Sequence, residues 1–365
     1  MKYKETLFFV AKCLTINHEE KNLQFIAKQI KAGNVDWDSV VKVSTAHYVF
    51  PALYCNLKRT ELLSYLPEDL VSYMKHITDL NRERNLQIIE QAKEINEILT
   101  SNGITPIFLK GTGFLLQSMY EDPAERMLGD IDFIVSKDEY QKTIKVLREI
   151  NYSDVIEMNY HFPSFKHYQR LQRDGKIAAV EIHKQMIIEE YADEFNYETI
   201  IKKSISKNNI SFLGYEDQVA LTMIAYQIND SGEFLNTISL RNAYDVFLLS
   251  RETNTLQSIK EFNKLFDPLN NFLAICGEIF SSSISFKKSG KTKKFLDVFD
   301  KIMSNDTFRK SHSKKIKRKL FTRQRLNIIS KAIYRNDYRI WLFKRLTDKT
   351  WYKEKMIQLG IKSDS

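Results

Sequence analysis

Arg126-Met127-Leu128-Gly129-Asp130-Ile131-Asp132-Phe133-Ile134-Val135 is the stretch on which the reading of this chain turns. Successive side chains of a β-strand point to opposite faces, so Asp130 and Asp132 share one face, about 7 Å apart along the backbone. Ile131, Phe133 and Val135 take the other face and can anchor the strand in a core. Two carboxylates held this way can bind a pair of divalent cations, and hard oxygen ligands suit Mg²⁺. Upstream, Ile104–Leu109 reads as a short strand running into Lys110-Gly111-Thr112-Gly113. That turn opens a helix and offers backbone N–H groups to an anion such as a triphosphate, with Lys110 and Arg126 as candidate counter-charges. Downstream, Ala179-Val180-Glu181-Ile182-His183 reads as a second strand. If it neighbours the first, Glu181 completes a metal site and serves as general base. His183 reads as a hydrogen-bonded strand residue, and Asp245 as a structural acid. The scheme fails if Glu181 turns away from the aspartates, or if a buried Lys or Arg fills the space between the acids.

The texture around this region is helical. Ile88, Ala92, Ile95 and Leu99 recur at helical spacing within Leu80–Leu99, and Ser101-Asn102-Gly103 ends that helix. Four of the eleven glycines and two of the six prolines fall between 103 and 129, where the pattern changes to α/β. Phe114–Tyr120 reads as a short helix and Glu139–Ile150 as another. Phe162–Leu171 and Lys176–His183 read as a hairpin about Asp174-Gly175. Helical patterning resumes from Glu216, through Leu240–Leu249 and Ile259–Phe286, and the Ser/Lys-rich stretch Ser281–Lys294 reads as a linker.

Taken together these residues resemble the nucleotidyltransferase superfamily of DNA polymerase β type. Its signature is a Gly-Ser or Gly-Gly pair at a helix start, Asp-x-Asp on a strand and a third acid on a later strand. Within it the chain is most similar to a bacterial group of uncharacterised nucleotidyltransferases, through Leu109-Lys110-Gly111, Tyr120–Arg126, Gly129–Asp132 and Leu240–Asp245. Thr112 stands where the superfamily has Ser or Gly, and 19 residues separate Gly111 from Asp130. The resemblance covers roughly residues 30–250. It implies an α+β fold: a small mixed β-sheet nucleotidyltransferase core embedded between N-terminal and C-terminal helical regions. The expected divisions are an N-terminal helical region (1–102), the α/β core (103–200), a helical region packing on the core (201–286) and a basic helical C-terminal segment (287–365). The implied activity is Mg²⁺-dependent transfer of NMP from an NTP to a hydroxyl acceptor, with release of pyrophosphate. Two Mg²⁺ ions, with Mn²⁺ as a substitute, would sit on Asp130, Asp132 and Glu181. Lys110, Gly111, Thr112 and Arg126 would orient the nucleotide. The acceptor is left open among a small molecule or sugar, a protein and tRNA.

Composition bounds the rest. The chain has 365 residues, 43% hydrophobic and 28% charged, which fits a globular protein of more than one domain. No run approaches the ~18 apolar residues of a membrane span. Cys13, Cys55 and Cys276 share no metal spacing and form no disulfide framework, so a cytoplasmic protein is expected. The net charge is +9, yet residues 309–355 carry seventeen Lys and Arg against Asp337, Asp348 and Glu354, leaving the remainder at −5. Three uses of this segment stay open: RNA contact, an anionic membrane surface, or packing along a seam of Ile329, Ile333, Ile340 and Phe343. The alternative to an enzyme is a non-catalytic module that keeps the fold and binds RNA or a protein partner through this segment.

Overall fold

Apolar alternation builds the centre of the sheet. In the computed structural model, which describes residues 1–155, 160, 162–282 and 284–358, the described strands are β1 (Ile107–Phe108), β2 (Asp130–Ile134), β3 (Ser153–Asp154), β4 (Leu171–Gln172), β5 (Ala179–His183), β6 (Ile205–Lys207) and β7 (Ile210–Phe212). They form one sheet in the order β3-β4-β5-β2-β1-β7-β6. β2 runs parallel to β5 and β1 parallel to β7, while the other pairs are antiparallel. The sheet is therefore mixed and lies within a mostly helical chain, the α+β architecture expected. The strand read over Ile104–Leu109 is only two residues long, because Lys110 already begins the helix Lys110–Leu116. Gly113 suits that helix, since a Cβ there would crowd the Phe108 carbonyl oxygen at 3.0 Å.

One sheet face carries Ile131, Phe133, Val180 and Ile182, all fully buried against Ile88, Ile95, Leu99 and Leu147. Each such side chain contributes about 1.5–3 kcal/mol on burial. The contacts come from helices Glu68–Ser101 and Tyr140–Glu149. The first of these is longer than the spacing of its apolar residues predicts, beginning directly after Pro67. The same buried face carries amides that bond to backbone. Asn81 donates to the Ala124 carbonyl at 2.7 Å, and Asn85 to those of Pro123 and Arg126 at 2.6 and 2.8 Å. Gln91 both donates to and accepts from Ala178, at 2.9 and 3.0 Å.

The segment read as a linker is partly helical: Gly290–Ser304 is a helix that buries Phe295, Phe299 and Ile302. Ser289 caps it by accepting from the Thr292 amide, which the Ser/Lys composition conceals. The helix expected over Ile259–Phe286 spans Phe266–Phe280. Ahead of it, the Glu194 carboxylate accepts from the amides of Asn263 and Lys264 at 2.8 and 2.7 Å, and so fixes a non-helical entry.

A half-buried acid gives this body a pH dependence. Glu233, on the short helix Gly232–Leu235, accepts from Asn271 through one oxygen at 3.2 Å, and its other oxygen has no partner among the described residues. Burial pushes its carboxyl up to about 7. An unfolded glutamate ionises near 4.3, so between roughly pH 4.5 and 7 the folded chain keeps a proton that the unfolded chain has lost. Stability from this group is complete below that window and falls as pH rises through it. Glu233→Gln is expected to be about 2 kcal/mol more stable than wild type near pH 8 and indistinguishable near pH 4.5, measured by denaturant melts.

The chain forms two compact units, residues 1–155 with 166–310, and 156–165 with 311–365. No helix among the described residues is long and apolar enough to cross a membrane.

Candidate active site

Parallel pairing of β2 with β5 sets Asp130 beside Ala179, Asp132 beside Glu181 and Ile134 beside His183. Period two then places Asp130, Asp132, Glu181 and His183 on one face, opposite the buried Ile131 and Phe133. Asp132, Glu181 and His183 bring a ligand atom each to within 4.8 Å of one another. His183 Nε2 lies 2.8 Å from Asp132 Oδ1 and 3.7 Å from Glu181 Oε2, while its Nδ1 is 3.2 Å from the Gln185 carbonyl. Each ring nitrogen thus has an oxygen before it. With Nδ1–H donating to Gln185, the 2.8 Å between Nε2 and Asp132 admits a proton, and a metal ion bound by both would take the place that Lys110 Nζ holds, 3.5 Å from Nε2. Two oxygen donors and one imidazole fit a single divalent cation, and a backbone carbonyl already orients the imidazole.

Two cations attend the acids. Lys110 Nζ is 2.7 Å from Asp132 Oδ1. Arg170 spans two carboxylates, with Nε 2.8 Å from Glu181 Oε1 and a terminal nitrogen 2.8 Å from Asp130 Oδ2. Both stand among the acids, and neither is fully buried there, the Arg170 side chain being 54% and that of Lys110 29% exposed. Burial acts to raise the Asp132 carboxyl, but Lys110 and His183 outweigh it and hold the group well below the usual range. Glu181 is likewise lowered, burial being outweighed by its bonds from His183 and Arg170. Asp130 moves the other way, raised by burial and the neighbouring Glu181.

The turn before the site is strained. Lys110 has φ +51°, a conformation that costs a non-glycine residue about 1 kcal/mol. Lys110→Gly is expected to be about 1 kcal/mol more stable than Lys110→Ala, since both remove the ammonium and only glycine accepts the backbone freely. Equal melting in denaturant would remove the strain from the account.

Two of the predicted nucleotide contacts sit differently from expectation. The Thr112 hydroxyl donates to the Asp130 carbonyl at 3.1 Å and accepts from the Asp132 amide at 3.3 Å. It clamps the helix to β2. Arg126 is 6% exposed, and its guanidinium is occupied by Asp245, with Nε to Oδ1 at 2.9 Å and a terminal nitrogen to Oδ2 at 2.9 Å. Tyr120 donates its hydroxyl to the same carboxylate, and another guanidinium nitrogen donates to the Met127 carbonyl at 2.6 Å. A Cβ on Gly111 would come within 3.4 Å of the Arg126 guanidinium carbon, so the arginine lies against the turn as its support.

Sequence reading missed Arg170, the place of His183 among the acids, and two further cations. Arg170 was reachable: Leu171 pairs with Val180 antiparallel, so Arg170 falls cross-strand from Glu181. Arg241 donates to the Met127 carbonyl at 3.5 Å and stacks over Tyr48 at 5.1 Å. Its Nε has no partner among the described residues. Lys166 lies at the end of β5, where its carbonyl accepts from the amides of Lys184 and Gln185, both at 2.9 Å. Burial lowers both cations, Arg126 adding to the effect at Arg241 and Lys110 at Lys166. No local pattern marks either residue.

Among curated proteins none matches this chain. It is similar to the crystal structure of JHP933 from Helicobacter pylori, at 12% identity over 72% of this chain and 99% of that one. The TM-score of 0.27 makes this likeness too weak to bear on the fold. A family model described as "Uncharacterised nucleotidyltransferase" matches residues 33–281, a span that holds both acid-bearing strands, the Lys110 turn and the Asp245 helix. The chain belongs to that nucleotidyltransferase family.

Proposed function

We propose that the protein transfers NMP from an NTP to a hydroxyl acceptor with release of pyrophosphate. The observation that carries this reading is the convergence of Asp132, Glu181 and His183, with Asp130 on the same face, beside the turn at Lys110-Gly111-Thr112. Mg²⁺ or Mn²⁺ held by Asp132, Glu181 and His183 would neutralise triphosphate charge and favour in-line displacement. A second ion would draw on Asp130 and Asp132, with Arg170 turned out to the phosphates. Glu181, kept ionised by Arg170 and His183, accepts the proton of the attacking hydroxyl. The backbone N–H groups of the first helical turn have no intrahelical carbonyl and receive a phosphate oxygen. Lys110 adds positive charge there. Lys166 and Arg241, which have no carboxylate partner among the described residues, serve the phosphates in place of the occupied Arg126.

Incubation with each α-labelled NTP, Mg²⁺ and cell extract tests this reading. Label should pass to an extract component with wild type and not with Asp130→Asn/Asp132→Asn. Equal labelling by both proteins overturns the proposal. The labelled component identifies the acceptor among sugar or other small molecule, protein and tRNA.

A further inference from the structure

The C-terminal unit has a small aromatic centre of its own. Tyr338 is buried, with Phe162 edge-on to it at 5.6 Å and to Trp341 at 5.0 Å. Seven apolar residues outside this centre are largely open to solvent. On helix Asp306–Tyr334, Phe321, Leu326, Ile329 and Ile333 are 55, 61, 54 and 75% exposed. On helix Asn336–Thr347, Ile340, Phe343 and Leu346 are 49, 69 and 58% exposed. The seam that packing would require (Ile329, Ile333, Ile340, Phe343) is therefore on the surface. At about 100° per residue, Leu326, Ile329 and Ile333 share a helix face with Lys315, Arg318 and Lys319, which are also exposed. That face is basic in its first half and aliphatic in its second.

This combination selects the partner. Seventeen basic residues against three acids between 309 and 355 demand a polyanion. An RNA would use the charges and any aromatic faces, but it has no use for exposed leucine and isoleucine, on which bases do not stack. Anionic phospholipid uses both halves, its headgroups meeting the lysines and arginines while aliphatic side chains enter the acyl boundary. We propose that the C-terminal unit docks on an anionic lipid surface through Leu326, Ile329 and Ile333, flanked by Lys315, Arg318 and Lys319.

The test floats the full chain with vesicles in about 0.1 M salt. The protein should rise with vesicles containing about 30 mol% phosphatidylglycerol, and at least tenfold less with pure phosphatidylcholine. Ile329→Glu/Ile333→Glu and Lys315→Glu/Arg318→Glu should each reduce binding about tenfold or more without changing the thermal unfolding of the protein, because all four positions are exposed. Equal binding to neutral and anionic vesicles overturns the proposal, as does binding indifferent to Ile329→Glu/Ile333→Glu. Salt-sensitive binding to total RNA with no vesicle binding also overturns it. So does a sedimentation dimer that is lost in Ile329→Glu/Ile333→Glu and binds no lipid.

Discussion

Asp132→Asn is expected to lower label transfer by about three orders of magnitude or more, equivalent to about 4 kcal/mol of transition-state stabilisation. This carboxylate meets both a candidate metal ligand and a basic side chain: His183 at 2.8 Å and Lys110 at 2.7 Å reach the same oxygen. The amide is isosteric and keeps the backbone bonds of β2, from Leu109 to the Asp132 carbonyl and from the Asp132 amide to Thr112. The fold should therefore be kept, at reduced stability. Lys110 and His183 lose a charged partner, at about 1–3 kcal/mol. Mn²⁺ binding followed by paramagnetic relaxation should weaken in parallel with activity. A variant that keeps full Mn²⁺ affinity while losing transfer would move Asp132 from ion binding to another role.

Asp245→Ala should destabilise the protein by about 3–5 kcal/mol, because it strands a guanidinium in a space closed to water. Arg126 and Asp245 are both essentially buried, and the Tyr120 hydroxyl bonds to the same carboxylate. Arg126→Met/Asp245→Leu should recover most of that loss, since the paired charges leave together. The cycle also separates two roles for Arg126. As the support behind Gly111 it can be replaced in the double variant with only a modest rise in KM for the NTP. As a direct phosphate ligand it could not, and KM would stay at least tenfold raised despite restored stability.

The residues that sequence made legible are those whose partners lie within one repeat of local structure. Asp130 and Asp132 announce a shared face because strand periodicity is two, and the Glu181 strand announces itself by the same alternation. Which strands become neighbours is a tertiary matter, settled here by the β2–β5 register. Arg126 was legible as a cation but not as half of a pair, for Asp245 lies 119 residues further on. Thr112 was legible as a hydroxyl, yet its bonds go to the edge of β2, where β1 is too short to pair. Arg241 and Lys166 carry no motif at all, because an unpaired charge beside a distant loop has no sequence spacing. In the tail, the apolar seam was visible at its correct helical spacing. Spacing marks a face without saying what covers it, and that face is bare.

Asn81 and Asn85 reach carbonyl oxygens, not side chains, in the segment they hold. Every amino acid offers the same carbonyl, so these three bonds are indifferent to the letters at 123, 124 and 126, whatever the side chains of Glu125 and Arg126 add through Arg59 and Asp245. That part of the approach to Asp130 can accept new side chains without disturbing where the aspartates stand, provided two amides on the helix Glu68–Ser101 stay put.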